Sequence, residues 1–385
     1  MIGKVRERIR PIIIFLGLFV ASMLYQTGSN RMGTLVAFAL IAAMLLCFLL
    51  NDKGRLRLGA VSVSLLCFLL ITTIVTLLRS ELPSYYVKLV AQIVVFILML
   101  GIKRTNTKEE MYLRTIFILS SLFYAVVGIV GVASFGSRYY HSSIILFGTS
   151  IDPNFFGIPI VACATLLLHM LLTEKKYRIL YAIGYFVLIV AIMYSSSRGS
   201  FVAVLIGNVL VIINFILGRN IKMHQKVMSI IAMIVAALFL YQYIQNNFST
   251  AWERLLSIGE EGSDNGRFNL WNRSLSTWAQ YPILGGGLYY NFHTYHVATH
   301  NTYLQVLSET GLVGFTILAA MVIYMLKKTF RHDRIYGIVL LAVLVQVFFL
   351  DAMENRCLWS ILCWFAVLPS ARHTKNNRLT MRGIR

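Results

Sequence analysis

The sequence predicts an all-α integral membrane protein with about twelve transmembrane helices and one long extracytoplasmic loop that carries an interfacial helix. Three observations lead there. Of 385 residues, 58% are hydrophobic and only 13% charged, with a mean hydropathy of +0.73. Soluble domains run at about 45–50% apolar and about 25% charged, so a soluble enzyme and a disordered chain are both excluded. Apolar segments of near-span length recur along the whole chain. The cations between them alternate from side to side.

Twelve apolar segments follow in order: 9–26, 33–50, 60–78, 87–102, 115–134, 155–173, 179–194, 201–217, 227–244, 301–326, 335–350 and 357–369. A span needs about 20 mostly apolar residues, and the last segment is short for one. Six prolines suit long helices, and the ten-residue alternation of a membrane barrel does not occur. The basic, apolar start resembles a signal peptide but lacks a small-residue cleavage site, so it reads as a retained first span. With the N-terminus inside, 26 of the 35 Lys and Arg fall on the inner side. This is the positive-inside pattern, and it predicts that both termini are cytoplasmic. The net charge of +20 is therefore topological. Its cations face anionic lipid, which removes nucleic acid as a partner. All five cysteines lie within spans, so no disulfide framework is expected. The chain reads as one polytopic membrane domain, 1–385.

One connection is long, residues 245–300, where about 4–6 residues is usual. It holds Trp252, Trp271 and Trp278, so its composition is not that of a disordered loop. Phe268, Trp271, Leu275 and Trp278 share one face of a helix. Asp264 or Asn265 is its expected N-cap and Pro282 its stop. A Trp-rich apolar face suits the outer membrane interface. Arg267 sits in the first turn, where the helix dipole disfavours a cation. Two readings stand: Arg267 binds an anion with the free N–H groups of the helix end, or it pairs with Asp264, Glu260 or Glu261.

SSSRGS, Ser195 to Ser200, opens the eighth span at its outer end. Ser197 or Ser200 is the expected cap, and Arg198 beside it makes either a second anion site or a snorkelling interfacial cation. HNTYLQVLSETGLVGF starts the tenth span at His300, with Asn301 or Thr302 as cap. The dipole keeps a histidine there neutral, which suits a general base. Glu309 lies about two turns into that span and reads as structural or supporting; Gly311 and Gly314 allow close packing. His293, His296 and His300 make a poor zinc set without HExxH or an outer cysteine, so no metal or other cofactor is expected. Further outer candidates are Arg79 and Lys88 in RSELPSYYVK, Asp152 and Asn154 in DPNFFG, and Asp351, Glu354 and Arg356 in DAMENR. Arg79, Lys88, Arg198, Arg267, Arg356 and His300 are expected to converge on one outer cavity, which would suit a lipid-linked phosphate.

SRGS at 197–200, the loop with DNGRFNLW and YPILGGG, and HNTYLQVLSETGLVG at 300–314 together resemble the O-antigen ligase and polymerase superfamily of bacterial envelope polysaccharide synthesis. The resemblance covers roughly 180–325. It implies a C-type glycosyltransferase architecture in the bacterial cytoplasmic membrane, with its active site on the extracytoplasmic face. It further implies a polyprenyl-pyrophosphate-linked oligosaccharide donor, Arg198 and Arg267 as pyrophosphate ligands, and His300 as base. A chain-length regulator and a flippase are the partners such a system would use. The expected activity is that of a polymerase, with another lipid-linked repeat unit as acceptor; the alternatives are a ligase acting on another acceptor and, in a different class, a polysaccharide flippase or other transporter.

Overall fold

The computed structural model describes residues 8–22, 31–51, 58–79, 81–135, 144–146, 149–218 and 265–369, with isolated positions between 223 and 242. Its helices are α1 (Pro11–Ala21), α2 (Arg31–Asn51), α3 (Ala60–Arg79), α4 (Tyr86–Gly101), α5 (Thr107–Phe135), α6 (Pro153–Thr173), α7 (Arg178–Ser195), α8 (Arg198–Ile216), α9 (Asn265–Gln280), α10 (Tyr290–Tyr295), α11 (Thr302–His332), α12 (Arg334–Gln346) and α13 (Arg356–Val367). Eleven of the predicted segments coincide with helices; the ninth, 227–244, lies almost wholly outside the described residues. Among the described residues six helices are long and apolar enough to cross a membrane: α3, α5, α6, α7, α8 and α11. The other apolar helices are shorter. The fold is not purely helical. Between α5 and α6 the chain makes a short antiparallel hairpin, β1 (Ile144–Leu146) and β2 (Thr149–Ile151).

α6 is the central helix. It is buried over most of its length and packs against α7, α8 and α12. Around it the helices keep exposed leucines and isoleucines such as Leu70, Leu78, Ile179 and Leu180, as a lipid-facing surface requires. Charged pairs gather at the end that the cation pattern marks as inner. Arg10 grips Glu109 at 2.8 Å and donates to the carbonyls of Lys103 and Arg104. Lys328 donates to the carbonyls of Phe365 and Ala366, and Arg104 to that of Ala366 at 2.7 Å. These cations satisfy carbonyls that the end of α13 leaves without helical partners.

The tenth segment corrects the expectation of one continuous helix. α11 is broken at Gly311, which has φ 63° and ψ −169°. The loop after α9 fills the break. Gly286 and Gly287 donate to the carbonyls of Ser308 and Glu309 at 2.8 and 2.9 Å, while Leu312 and Val313 donate back to Pro282 and Ile283 at 2.9 and 3.1 Å. Irregular backbone at membrane depth persists only where protein satisfies its polar groups, and YPILGGG does this here. Glycine is required on both sides. A Cβ on Gly311 would strike the Ile283 carbonyl, and one on Gly285 (φ 76°) would strike Glu309 backbone. Gly311→Ala is therefore expected to cost about 3–5 kcal/mol. In detergent its monodisperse peak and cooperative melt should be lost, whereas Gly59→Ala, where a Cβ meets nothing within 4 Å, should behave as the parent chain.

Candidate functional site

The site is organised around the connection from α12 to α13, residues 347–355. Gln346 is followed by a 3-10 turn, Val347–Phe349. Three of the motifs singled out by sequence meet here. At α8, Ser197 is the N-cap and accepts from the Ser200 N–H at 3.2 Å. Its hydroxyl also donates to Asn154 Oδ1 at 2.8 Å, and Gln346 Nε2 donates to the Asn154 carbonyl at 2.9 Å. Gly199, next to Arg198, lies so close to the Phe349 ring that a Cβ would collide with it. Arg198 is half-buried at the first position of α8.

α9 approaches the same turn from its other side. The Trp271 ring meets Phe348 edge-on at 5.5 Å. Arg267 is half-buried one turn earlier on that helix face. α9 spans Asn265–Gln280 as its cap and stop residues predict, while Asp264 lies outside the described residues. The helix is held mainly by small polar residues. Ser274 and Thr277 are buried, whereas Phe268 and Leu275 stay exposed, as they would at a lipid interface. The anchor is Asn291 in α10, 3% exposed. It accepts from Thr277 Oγ1 at 2.9 Å, and its amide lies within hydrogen-bond reach of Ser274, Thr299 and Ser308. Nothing in the local sequence marks Asn291. It is missed because its four partners come from three separate places, α9, the connection at Thr299 and α11.

His300 is the third arrival. It has φ 54°, a left-handed backbone uncommon outside glycine. Such strain persists where the surroundings enforce it, and functional sites are where it concentrates. Asp351 does the enforcing. Its carboxylate accepts the Asn301 N–H at 3.1 Å, and the backbone N–H groups of His300 and Thr299 lie in its field. Burial pushes its carboxyl upward, against the pull of the His300 side chain and those N–H groups. Asn301 caps α11 through Tyr303 N and Leu304 N at 3.0 and 3.2 Å. Thr302 locks the connection, donating to the Leu350 carbonyl at 2.6 Å and accepting from Ala352 N at 2.9 Å.

The remaining candidates are divided between places. Arg79 is exposed and stacks on the Tyr281 ring at 3.8 Å. Lys88 and Arg356 line a groove between α1, α2, α4 and the start of α13. Glu309 is buried beside the break in α11, with the Tyr289 backbone and the Gln305 side chain close to its carboxylate. Asp351 and Glu354 bring two further carboxylates into its field, and half-buried Tyr85 lies in the field of all three. The expected convergence of cations is thus a more mixed arrangement, with a carboxylate cluster behind His300.

Burial raises Glu354 to about 7, with Asp351 adding repulsion. The sign follows. A carboxyl whose pKa is higher folded than unfolded stabilises the fold fully below its unfolded pKa and loses that contribution as pH rises through the folded value. The melting temperature is expected to fall between about pH 5 and 8. The fall should be smaller in Glu354→Gln, as read by a pH series of melts in one detergent.

Residues 183–319 match a family model described as O-antigen ligase. The matched stretch contains Arg198, Arg267, His300 and Glu309, and it ends before the α12–α13 connection that gathers them. Among curated proteins nothing matches the chain. The sequence resemblance is supported over that stretch: the chain is a membrane-embedded protein whose residues 183–319 are similar to the O-antigen ligase family.

Proposed function

We propose that this protein polymerises oligosaccharide repeat units carried on polyprenyl pyrophosphate, in the outer leaflet of a bacterial cytoplasmic membrane, for an O-antigen, capsule or exopolysaccharide. The observation that carries the reading is the shared turn 347–351, where two arginine-bearing helix starts and a strained, Asp-held histidine meet. Arg198 and Arg267 bind the donor pyrophosphate. Guanidinium forks onto phosphate and keeps its charge. His300 takes the proton from an acceptor hydroxyl. That oxygen attacks the anomeric carbon from the face opposite the leaving group, the C1–O bond to phosphate breaks, and its electron pair leaves on polyprenyl pyrophosphate. The anomeric centre inverts. Developing charge on the leaving group is met by the two arginines, which is electrostatic catalysis. Pyrophosphate is a good leaving group, so the step needs no metal. Asp351 fixes the His300 backbone and supports the imidazolium that forms.

A ligase would share the donor side and differ in acceptor. A broken helix with a buried carboxylate beside it also occurs in secondary transporters, and α11 has that shape. There, however, the unwound backbone faces the cargo. Here the N–H and carbonyl groups flanking Gly311 are bonded to the 282–287 loop, which favours a structural break. The test is reconstitution in liposomes with a lipid-linked repeat unit as sole substrate. A ladder with release of polyprenyl pyrophosphate is expected. Transfer only after a lipid A core or other acceptor is added would make it a ligase, and lipid flipping without release would make it a transporter.

A further inference from the structure

A large open groove, about 910 Å³, lies at the helix ends that the cation pattern marks as inner, away from the reaction centre. Its walls are Phe48 from α2, Val61 from α3, Leu100 from α4 and Tyr324 from α11, and Lys103 and Arg104 stand at its mouth. α2 and α3 follow one another in the chain and both pack on α4, yet among the described residues they make little direct contact. The groove is the gap between them. Pockets of about 300–1,000 Å³ hold one ligand. Between apolar walls at membrane depth the filling is lipid, since the bilayer core holds no water.

The charge at the mouth is unbalanced. The acidic residues nearest in sequence are engaged elsewhere. Glu109 accepts from Arg10 N and Nη2 at 2.9 Å, from Arg10 Nε at 2.8 Å and from Asn106 N at 3.1 Å. Glu110 accepts from the Tyr336 hydroxyl at 3.1 Å and lies 3.2 Å from His332. Among the described residues neither Lys103 nor Arg104 has a carboxylate partner. Lys103 is exposed. Arg104 is half-buried, and one of its N–H groups goes to the Ala366 carbonyl, an acceptor that Lys328 shares. Arg10 donates to the carbonyls of Lys103 and Arg104 at 2.8 and 3.2 Å. Both cations are therefore carried on backbone held in place before a ligand arrives, which lowers the cost of binding one. The start of α3 adds donors. Its first backbone bond runs from Val63 N to the Gly59 carbonyl at 3.1 Å, so the N–H groups of residues 60–62 precede the helical ladder. All three residues line the groove, and Gly59 before them has no side chain to cap them.

A mouth of cations and backbone donors over apolar walls matches a phosphodiester that carries acyl chains. Basic pockets between spans on the cytoplasmic side are where anionic headgroups bind. We propose that the α2–α3–α4–α11 groove holds one anionic phospholipid of the cytoplasmic leaflet. Lys103 and Arg104 take its phosphate, and an acyl chain lies along Phe48, Val61 and Leu100 and joins α2 to α3. The site is separate from glycosyl transfer and stands or falls without it.

The test counts bound lipid. The full chain is purified in a neutral detergent and given phosphatidylglycerol or phosphatidylcholine with the same acyl chains, and complexes are counted by native mass spectrometry. The parent should keep one phosphatidylglycerol, held about tenfold more tightly than phosphatidylcholine. Lys103→Glu should abolish that preference, and Lys103→Arg should keep it. Gly59→Phe leaves every cation in place and fills the mouth, where a Cβ meets nothing within 4 Å, so it should lose the lipid. Both variants should melt as the parent does in lipid-free detergent, because Lys103 and Gly59 are exposed. Lys175→Glu makes the same charge change at an exposed inner position outside the groove and should leave binding unchanged. Equal retention of the two lipids would overturn the proposal, as would a lipid still held by Gly59→Phe. A loss in Lys175→Glu as large as in Lys103→Glu would reduce it to diffuse attraction by the inner face. Displacement by excess inorganic phosphate would make it a free-anion site, and a two-chain species in place of bound lipid would make the groove an interface between copies; either result would overturn it.

Discussion

Replacing His300 with alanine is expected to slow release of polyprenyl pyrophosphate about 10²–10⁴-fold, the usual worth of a positioned general base. The argument rests on placement. The residue is half-buried at the mouth of α11, its backbone is held in the left-handed region, and the half-buried Asp351 carboxylate ties down the next residue, Asn301. Alanine adopts φ 54° poorly, so His300→Asn serves as the companion variant, since Asn tolerates that conformation. Both variants should keep the parent melting temperature within a few degrees while losing turnover in a single-turnover assay with labelled donor. Asp351→Asn keeps an acceptor for the backbone N–H groups and removes the charge, so a smaller loss is expected, about 10–100-fold. Near-normal turnover from His300→Asn would remove the base assignment.

The second large effect belongs to the arginines. Arg198→Ala and Arg267→Ala are each expected to lower turnover about 10²–10³-fold, the scale for losing one donor to a developing oxyanion. Both serve the same leaving group, so the double variant should lose less than the product of the two, because interacting sites are non-additive. Lysine at either position should rescue only part of the rate, as an ammonium cannot fork onto phosphate. Donor affinity, measured separately, should weaken in every case. Arg79→Ala should change these rates little, since its guanidinium is engaged with the exposed face of Tyr281.

The sequence disclosed what the bilayer itself dictates. Lipid demands long apolar helices and sorts cations by side, so segment positions could be read from composition alone. Caps were readable for the same local reason. Ser197, Asn301 and the extent of α9 all follow from short-range chemistry. The organiser of the site was not readable. DAMENR reads as a polar outer loop, and the meaning of the 347–355 connection lies in contacts with residues about 50 to 260 positions away, such as Thr302 and Gln92. Gly311 invites a packing reading and the glycines at 285–287 stand only as part of a motif, yet their role needs two backbones to interleave, which periodicity does not encode. Asn291 is silent for a related reason, because a saturated buried amide looks the same in sequence as an exposed one. The division of the outer cations into separate places likewise depends on which helices neighbour one another.

The interleaving at Gly311 also bears on how the protein is made. Translation runs from the N-terminus, so Pro282–Gly287 is synthesised before Thr302–His332. The second half of α11 thus emerges with its docking strap already present. A break left open in hydrocarbon would strand several backbone groups, each costing several kcal/mol, so the later segment gains nothing by entering the lipid ahead of its strap. This gives the nascent chain a reason to hold the two pieces together at the translocon and release them as one unit. Separating them in synthesis, by expressing residues 1–295 and 296–385 as two chains, should then cost far more membrane-integrated protein than a cut at a connection that no strap crosses.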